Sequence, residues 1–153
     1  MPQLASYKEC TACMACIDTC NHKAIDFCVD SYGYYKIAID ASKCVNCGLC
    51  EKKCPVLNKP VTNNSCSQPY AGWCSDTPLR SLSASGGIFA TIAKTILDNK
   101  GVAYGAAIDG FEVKHIRIEN KTDLHKIQGT KYQQSITKDI YKRVKKDLQS
   151  DRI

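Results

Sequence analysis

The sequence lacks the features that mark membrane and secreted proteins. No run of about eighteen apolar residues occurs in the 153-residue chain, so no transmembrane helix is expected. Residues 1–6 contain no basic stretch followed by an apolar stretch, which argues against a secretory signal. These absences favour a reducing, cytoplasmic location, where clustered cysteines bind metal more often than they form disulfides.

The chain also has little histidine and little net charge of one sign. Its formal net charge is +6, and the basic residues are spread out, so the sequence predicts no nucleic-acid-binding stripe. The basic stretch at 142–146 has acidic neighbours and is interpreted as the solvated face of a helix. The chain has three histidines, which are scattered and make no convincing acid/base pair: His22, His115 and His125.

Cysteine, in contrast, is abundant, because eight of the eleven cysteines form two copies of one motif. The motif reads C-x-x-C-x-x-C-x-x-x-C, and the two copies lie 34 residues apart. The first copy contains Cys10, Cys13, Cys16 and Cys20, and the second contains Cys44, Cys47, Cys50 and Cys54. Pro55 follows the second copy directly, whereas Asn21 follows the first. This spacing is typical of ferredoxins of the bacterial type, which hold cubane [4Fe–4S] clusters.

Each cubane needs one thiolate at each of its four irons, and in two-cluster ferredoxins the fourth ligand comes from the distant motif. This rule predicts one cluster at Cys10, Cys13, Cys16 and Cys54, and another at Cys44, Cys47, Cys50 and Cys20. Two structural zinc sites are the alternative, but zinc ligands usually come as two separated cysteine pairs. The motif therefore predicts iron–sulfur electron transfer, with a redox partner protein or subunit.

The chain divides by composition into two domains. We predict a ferredoxin domain at 1–57, a polar linker bounded by prolines at 58–69, and a second domain at 70–153. The first domain contains a predicted hairpin with strands at 24–29 and 34–39. The predicted elements of the second domain are a strand opening at 70–74, a helix at 87–97, strands at 102–108 and 111–119, and a helix at 138–149.

These elements predict an α+β fold, in which a ferredoxin-like two-cluster module is followed by a partial α/β domain. We expect the chain to be a fragment, or to carry a dependent second domain, because few strands precede its end. The leftover cysteines Cys28 and Cys74 are expected to be buried apolar groups. Cys66, in the linker, is expected to be an exposed thiol. A serine N-cap and two glycines are predicted to open the helix at 87–97.

The order of these segments resembles one family. The double cysteine motif is followed by Tyr70-Ala71-Gly72-Trp73, Ser83-Ala84-Ser85-Gly86-Gly87-Ile88-Phe89, Tyr104-Gly105-Ala106-Ala107, Lys114-His115-Ile116-Arg117 and Gly129-Thr130-Lys131-Tyr132-Gln133-Gln134-Ser135. This combination resembles the beta subunit of coenzyme F-420 hydrogenase/dehydrogenase and its ferredoxin-fused bacterial relatives.

The resemblance implies that the ferredoxin module delivers electrons to FAD, which exchanges hydride with a deazaflavin or another acceptor. It implies a flavin site formed by Ser85, Gly86, Gly87, Lys131, Tyr132 and Gln134. The family continues beyond the last helix, so we do not expect this chain to be a complete enzyme by itself. The alternative is a ferredoxin-type electron carrier that is not an enzyme and whose second domain docks it onto a partner.

Overall fold

A computed structural model describes residues 1–59, 68–150 and 152. The chain forms two compact units, of which the first comprises Met1–Asn64 and Thr137–Lys142. The second comprises Ser65–Ile136 and Arg143–Ile153. Both helices and strands are present, in agreement with a mixed α+β fold. Most of the predicted linker, including Cys66, lies outside the described residues, and no described helix is long and apolar enough to cross a membrane.

The first unit consists of two short helices and one hairpin. Its elements are α1 (Ala15–Thr19), β1 (Ile25–Val29), β2 (Tyr35–Ile39) and α2 (Leu49–Lys52). The predicted hairpin is confirmed, because β1 and β2 pair antiparallel with Ile25 opposite Ile39. The carboxylate of Asp30 accepts hydrogen bonds from two backbone N–H groups of the intervening turn. Because this turn chemistry is local, the sequence alone can predict it.

The cysteine loops are more regular than their sequence indicates. Each loop contains one helical turn, α1 or α2, although neither has useful apolar periodicity. The prediction for Cys28 was wrong, because its side chain is exposed. Alternation along β1 places Cys28 on the same face of the hairpin as Asp26, which is also exposed. A two-stranded hairpin can bury only the face that packs against another part of the protein, and Cys28 lies on the other face.

The second unit combines a hairpin with short helices. Its elements are α3 (Thr77–Ser81), α4 (Ile88–Asp98), β3 (Ala103–Asp109), β4 (Glu112–Ile118), a 3-10 helix (Lys121–Asp123) and α5 (Leu124–Ile127). Helix α6 (Ile140–Gln149) follows them in the chain. β3 and β4 pair antiparallel, with a two-residue turn between Asp109 and Glu112. The buried core of this unit consists of Ala93, Leu97, Ala103, Ala107, Ile118, Leu124 and Ile127.

Two local predictions for the second unit need correction, and a third is confirmed. Residues 70–74 form no strand, and the amide of Cys74 donates instead to the Gly86 carbonyl at 2.7 Å. Gly87, with φ of 76°, is the N-cap of α4 in place of a serine, and no side chain caps that helix end. Only a residue that tolerates the left-handed conformation fits there, and glycine does so without steric cost. The predicted burial of Cys74 is confirmed.

Candidate metal centre

Two small cavities in the first unit are each lined by four of the motif cysteines. The first cavity is lined by Cys10, Cys13 and Cys16 from the first motif and by Cys54 from the second. The other cavity has the reciprocal set, in which Cys44, Cys47 and Cys50 are joined by Cys20. The fold therefore brings together the two groups that the crossed-ligand rule predicts. The remaining walls are mostly apolar and include Met14, Ile37 and Val56 in the first cavity, and Ile25, Val45 and Leu49 in the other.

The backbone of the two cysteine loops repeats along with their sequence. Ala12 and Met14 adopt left-handed conformations, with φ of 48° and 60°. The equivalent residues of the second motif, Asn46 and Gly48, do the same, with φ of 56° and 69°. Left-handed residues within a turn direct successive backbone N–H groups to one side, forming the concave sites that bind anions and iron–sulfur clusters. Ala12 and Met14 adopt this conformation at a steric cost, so the first loop holds a strained backbone around its cysteines, whereas asparagine and glycine tolerate it in the second loop.

The local environment opposes ionisation of two of the thiols in the free chain. Burial raises the pKa of Cys16 to about 11, and the nearby charge of Cys13 adds to this effect. Burial also raises the pKa of Cys50. Metal ligation requires the thiolate, so binding at these positions releases protons. At Cys20 the backbone N–H of Ala24 already donates to the sulfur at 3.3 Å.

The donor set decides which group fits these cavities. Four thiols around one cavity match the four iron corners of a cubane, and the left-handed residues of the cysteine loops suit a backbone whose N–H groups would donate to sulfides. Within residues 1–59, 68–150 and 152, no group of three or more His, Cys, Asp or Glu side chains is arranged to hold a single metal ion. Residues 9–58 match the family model described as a 4Fe-4S dicluster domain. This chain carries a 4Fe-4S dicluster domain.

The dicluster domain includes all eight motif cysteines and supports iron–sulfur electron transfer by this chain. It also suggests that the chain works with a redox partner. The match ends at residue 58, so it does not extend to the second unit. A search of curated proteins found no match to the chain.

The second unit contains a separate cavity of about 430 Å³. It is lined by Gly72, residues 83–90, Gly105, Ala106 and residues 127–131. The cavity thus brings together Ser85, Gly86, Gly87 and Lys131, four of the six residues that the family resemblance implies for a flavin. Tyr132 and Gln134 are not among its lining residues, and the Tyr132 side chain is 98% exposed.

The glycines of this cavity have structural roles of their own. A side chain at Gly86 would come within 3.0 Å of the Gly72 carbonyl oxygen, and one at Gly87 within 3.1 Å of Cys74 Cβ. The ammonium of Lys131, which also lines the cavity, donates to the Gln128 carbonyl at 2.5 Å, and burial lowers its pKa. The start of α4 and this ammonium together form a site with positive character.

Sequence reasoning missed one group of residues next to the first cysteine cavity. Residues Thr137–Lys142, far along the chain, belong to the first unit. The Thr137 hydroxyl donates to the Cys13 carbonyl at 2.8 Å, and the buried Asp18 carboxylate accepts from the backbone N–H groups of Asp139 and Tyr141. One signal was available in the repeat, since Asp18 is acidic where the second copy has Lys52.

Proposed function

We propose that this chain binds two [4Fe–4S] clusters through crossed cysteine sets and relays single electrons to a flavin-dependent oxidoreductase site. The first set is Cys10, Cys13, Cys16 and Cys54, and the second is Cys44, Cys47, Cys50 and Cys20. The redox site that the electrons reach is of the coenzyme F-420 hydrogenase/dehydrogenase beta-subunit type. When bound, the clusters supply one-electron chemistry, and the flavin supplies two-electron chemistry.

One observation carries the cluster part of the proposal. Each of the two cavities is lined by three cysteines of one motif and the last cysteine of the other. In this arrangement the chain's thiols would hold the clusters, and backbone N–H groups of the cysteine loops would donate to their sulfides. The apolar walls exclude water, which limits side reactions of reduced iron and helps to set the potential. Crossed ligation also ties the two halves of the domain together, so cluster binding stabilises the fold.

The cluster number is tested by anaerobic reconstitution with iron and sulfide. We expect about eight irons per chain and the brown absorption of a cubane. A chain that takes up zinc and develops no brown chromophore would overturn the proposal.

The crossed assignment is tested by two double variants with the same number of cysteines removed. In Cys20→Ala/Cys47→Ala both losses fall in one proposed set, so the other cubane stays intact and about four irons remain. In Cys13→Ala/Cys20→Ala each set loses one ligand, so no cubane keeps all four thiolates. Electron paramagnetic resonance of the reduced proteins separates the two results. If only the second double variant keeps an intact cubane, each motif provides all four of its own ligands.

The flavin part of the proposal rests on the family resemblance and on the cavity of the second unit. A volume of about 430 Å³ lies within the range of small-molecule sites. The uncapped start of α4 and the Lys131 ammonium provide the positive character that a pyrophosphate needs. In this reading residues 85–87 would face the phosphates, and Lys131 would bind them as a point charge.

Flavin binding is tested with the cluster-loaded chain and excess FAD. We expect Lys131→Ala to weaken FAD binding measured by equilibrium dialysis, because it removes a cation from the cavity wall. Lys126→Ala is the matched control, since it removes the same charge from a lysine that pairs with Asp123 and does not line the cavity. A chain that binds no FAD in excess would be an electron carrier, and the flavin part would then be wrong.

A further inference from the structure

The Thr137 hydroxyl binds the main chain of a cysteine that the proposed function makes a cluster ligand. It donates to the Cys13 carbonyl at 2.8 Å, although the two residues are 124 positions apart in the chain. Both residues belong to the first unit, and both side chains are half-buried. The hydrogen bond therefore restrains the Cys13 backbone and does not involve the Cys13 sulfur.

Cys13 lies between two residues whose backbone conformation is costly. Ala12 and Met14 have left-handed φ values of 48° and 60°, and both are buried. A residue with a Cβ keeps this conformation only where surrounding contacts hold it. The Cys13 carbonyl belongs to the peptide group that joins Cys13 to Met14. The Thr137 hydrogen bond thus holds the backbone at the place where the steric cost arises.

The position of Thr137 is itself fixed by the first cysteine motif. Asp18 lies on α1 between two motif cysteines, and its side chain is buried. Its carboxylate accepts from the Asp139 N–H at 2.6 Å and from the Tyr141 N–H at 2.9 Å. Hydrogen bonds to a charged group are about twice as strong as those between neutral groups. The segment that carries Thr137 is therefore held against the loop that Thr137 restrains.

The second copy of the motif differs in both respects. Asn46 and Gly48 occupy the two left-handed positions there, and these residue types adopt that conformation at little cost. Lys52 occupies the position that Asp18 has in the first copy, and a lysine cannot accept backbone N–H groups. The costly backbone and the anchor for a supporting segment thus occur together in the first copy.

We propose that Thr137 is a positioning residue for the first cysteine set. Its hydroxyl holds the Cys13 peptide group, and thereby the loop that places Cys10, Cys13 and Cys16 around one cavity. This inference rests on the proposed cluster function. Without the hydroxyl, the first loop leaves this conformation more often, and water and chelators reach the first set more often. The second set has its own loop and is unaffected.

The experiment measures iron release from full-length chains that hold one proposed set each. Cys20→Ala/Cys47→Ala keeps the first set, and Cys10→Ala/Cys54→Ala keeps the second. Both chains are loaded anaerobically and mixed with an excess of a ferrous-iron chelator, and the rate of iron uptake by the chelator is followed. We expect Thr137→Val to accelerate release about 2- to 12-fold in the first-set chain, the factor for losing one neutral hydrogen bond. The rate in the second-set chain should not change.

Two further variants separate the hydrogen bond from a general effect of substitution. Thr137→Ser keeps the hydroxyl, so it should restore the parent rate. Thr19→Val is the matched control, because Thr19 is also half-buried and its hydroxyl makes no hydrogen bond within the described part of the chain. It should leave the rate unchanged in both chains.

The outcomes separate this inference from the proposed function. A parent chain that takes up no iron and sulfide overturns both. An unchanged rate in the loaded first-set Thr137→Val protein overturns only the role of Thr137. Equal acceleration in the two chains, or equal acceleration by Thr137→Ser, also overturns it. If the one-set chains do not load, Thr137→Val in the eight-cysteine chain decides: about four of eight irons should leave faster, and uniform release refutes the inference.

Discussion

Replacing Asp18 by alanine should release the segment Thr137–Lys142 from the dicluster domain. The buried carboxylate accepts two backbone N–H groups, and a hydrogen bond to a charged group contributes about 1.5–3 kcal/mol. Tyr141 is 44% exposed, so water can replace part of the lost interaction once the carboxylate is gone. We therefore expect the local free energy of opening to fall by about 2–4 kcal/mol, less than the roughly 3–6 kcal/mol that two such bonds would contribute without compensation by water.

Hydrogen exchange of the cluster-loaded chain, followed by mass spectrometry on a peptide covering 137–142, measures this opening directly. At 1.4 kcal/mol for each factor of ten, the amides of Asp139 and Tyr141 should exchange about 30 to 700 times faster in Asp18→Ala. Asp26→Ala is the matched control, because it removes an ion pair from the same segment. That pair is 39% exposed at Lys138 and 65% at Asp26, so it contributes at most about 1 kcal/mol. Equal acceleration in the two variants, or none in Asp18→Ala, would refute the reasoning.

Three further changes test packing, backbone conformation and cysteine assignment. Gly105→Ala should destabilise the second unit by about 1–3 kcal/mol, because its new Cβ would lie 2.8 Å from Ile127 Cβ. Urea unfolding followed by Trp73 fluorescence measures this, and an unchanged midpoint would contradict it. Lys100 follows α4 with a left-handed φ of 63°, so Lys100→Gly should raise the urea midpoint by the equivalent of about 0.5–1 kcal/mol. A lower midpoint would show that Lys100 is not strained there. Cys28→Ser should retain the full iron content, because Cys28 is exposed and lines neither cysteine cavity, so lost iron would make it a ligand.

Features that depend on neighbours in the chain were predictable from the sequence. Both hairpins form where alternation and turn residues predicted them, because a turn and the strands beside it are encoded within about fifteen residues. The grouping of the cysteines around two cavities also agrees with their spacing, since the repeat carries its backbone conformation with it. In these cases local chemistry and tertiary structure favour the same result.

Predictions failed where a residue's surroundings come from elsewhere in the fold. Residues 70–74 have strand-like composition, but in the described chain they have no neighbouring strand with which to form a ladder. The helix at 87–97 was expected to open on a serine N-cap, yet Gly87 occupies that position with a left-handed φ of 76°. The intrinsic preference of a residue predicts which secondary structure or helix-end position suits it, but contacts with the rest of the fold decide whether it adopts that position.

The sequence by itself determined the cysteine chemistry, because thiolates at this spacing suit a cubane whatever the rest of the chain does. It also determined the hairpins, whose signals are local. Only the tertiary structure decided that Asp18 accepts the N–H groups of Asp139 and Tyr141, more than 120 residues away in the chain. No periodicity or motif links residues at that separation. Their meeting depends on the closure of a long loop and on the burial of a carboxylate that needs two donors.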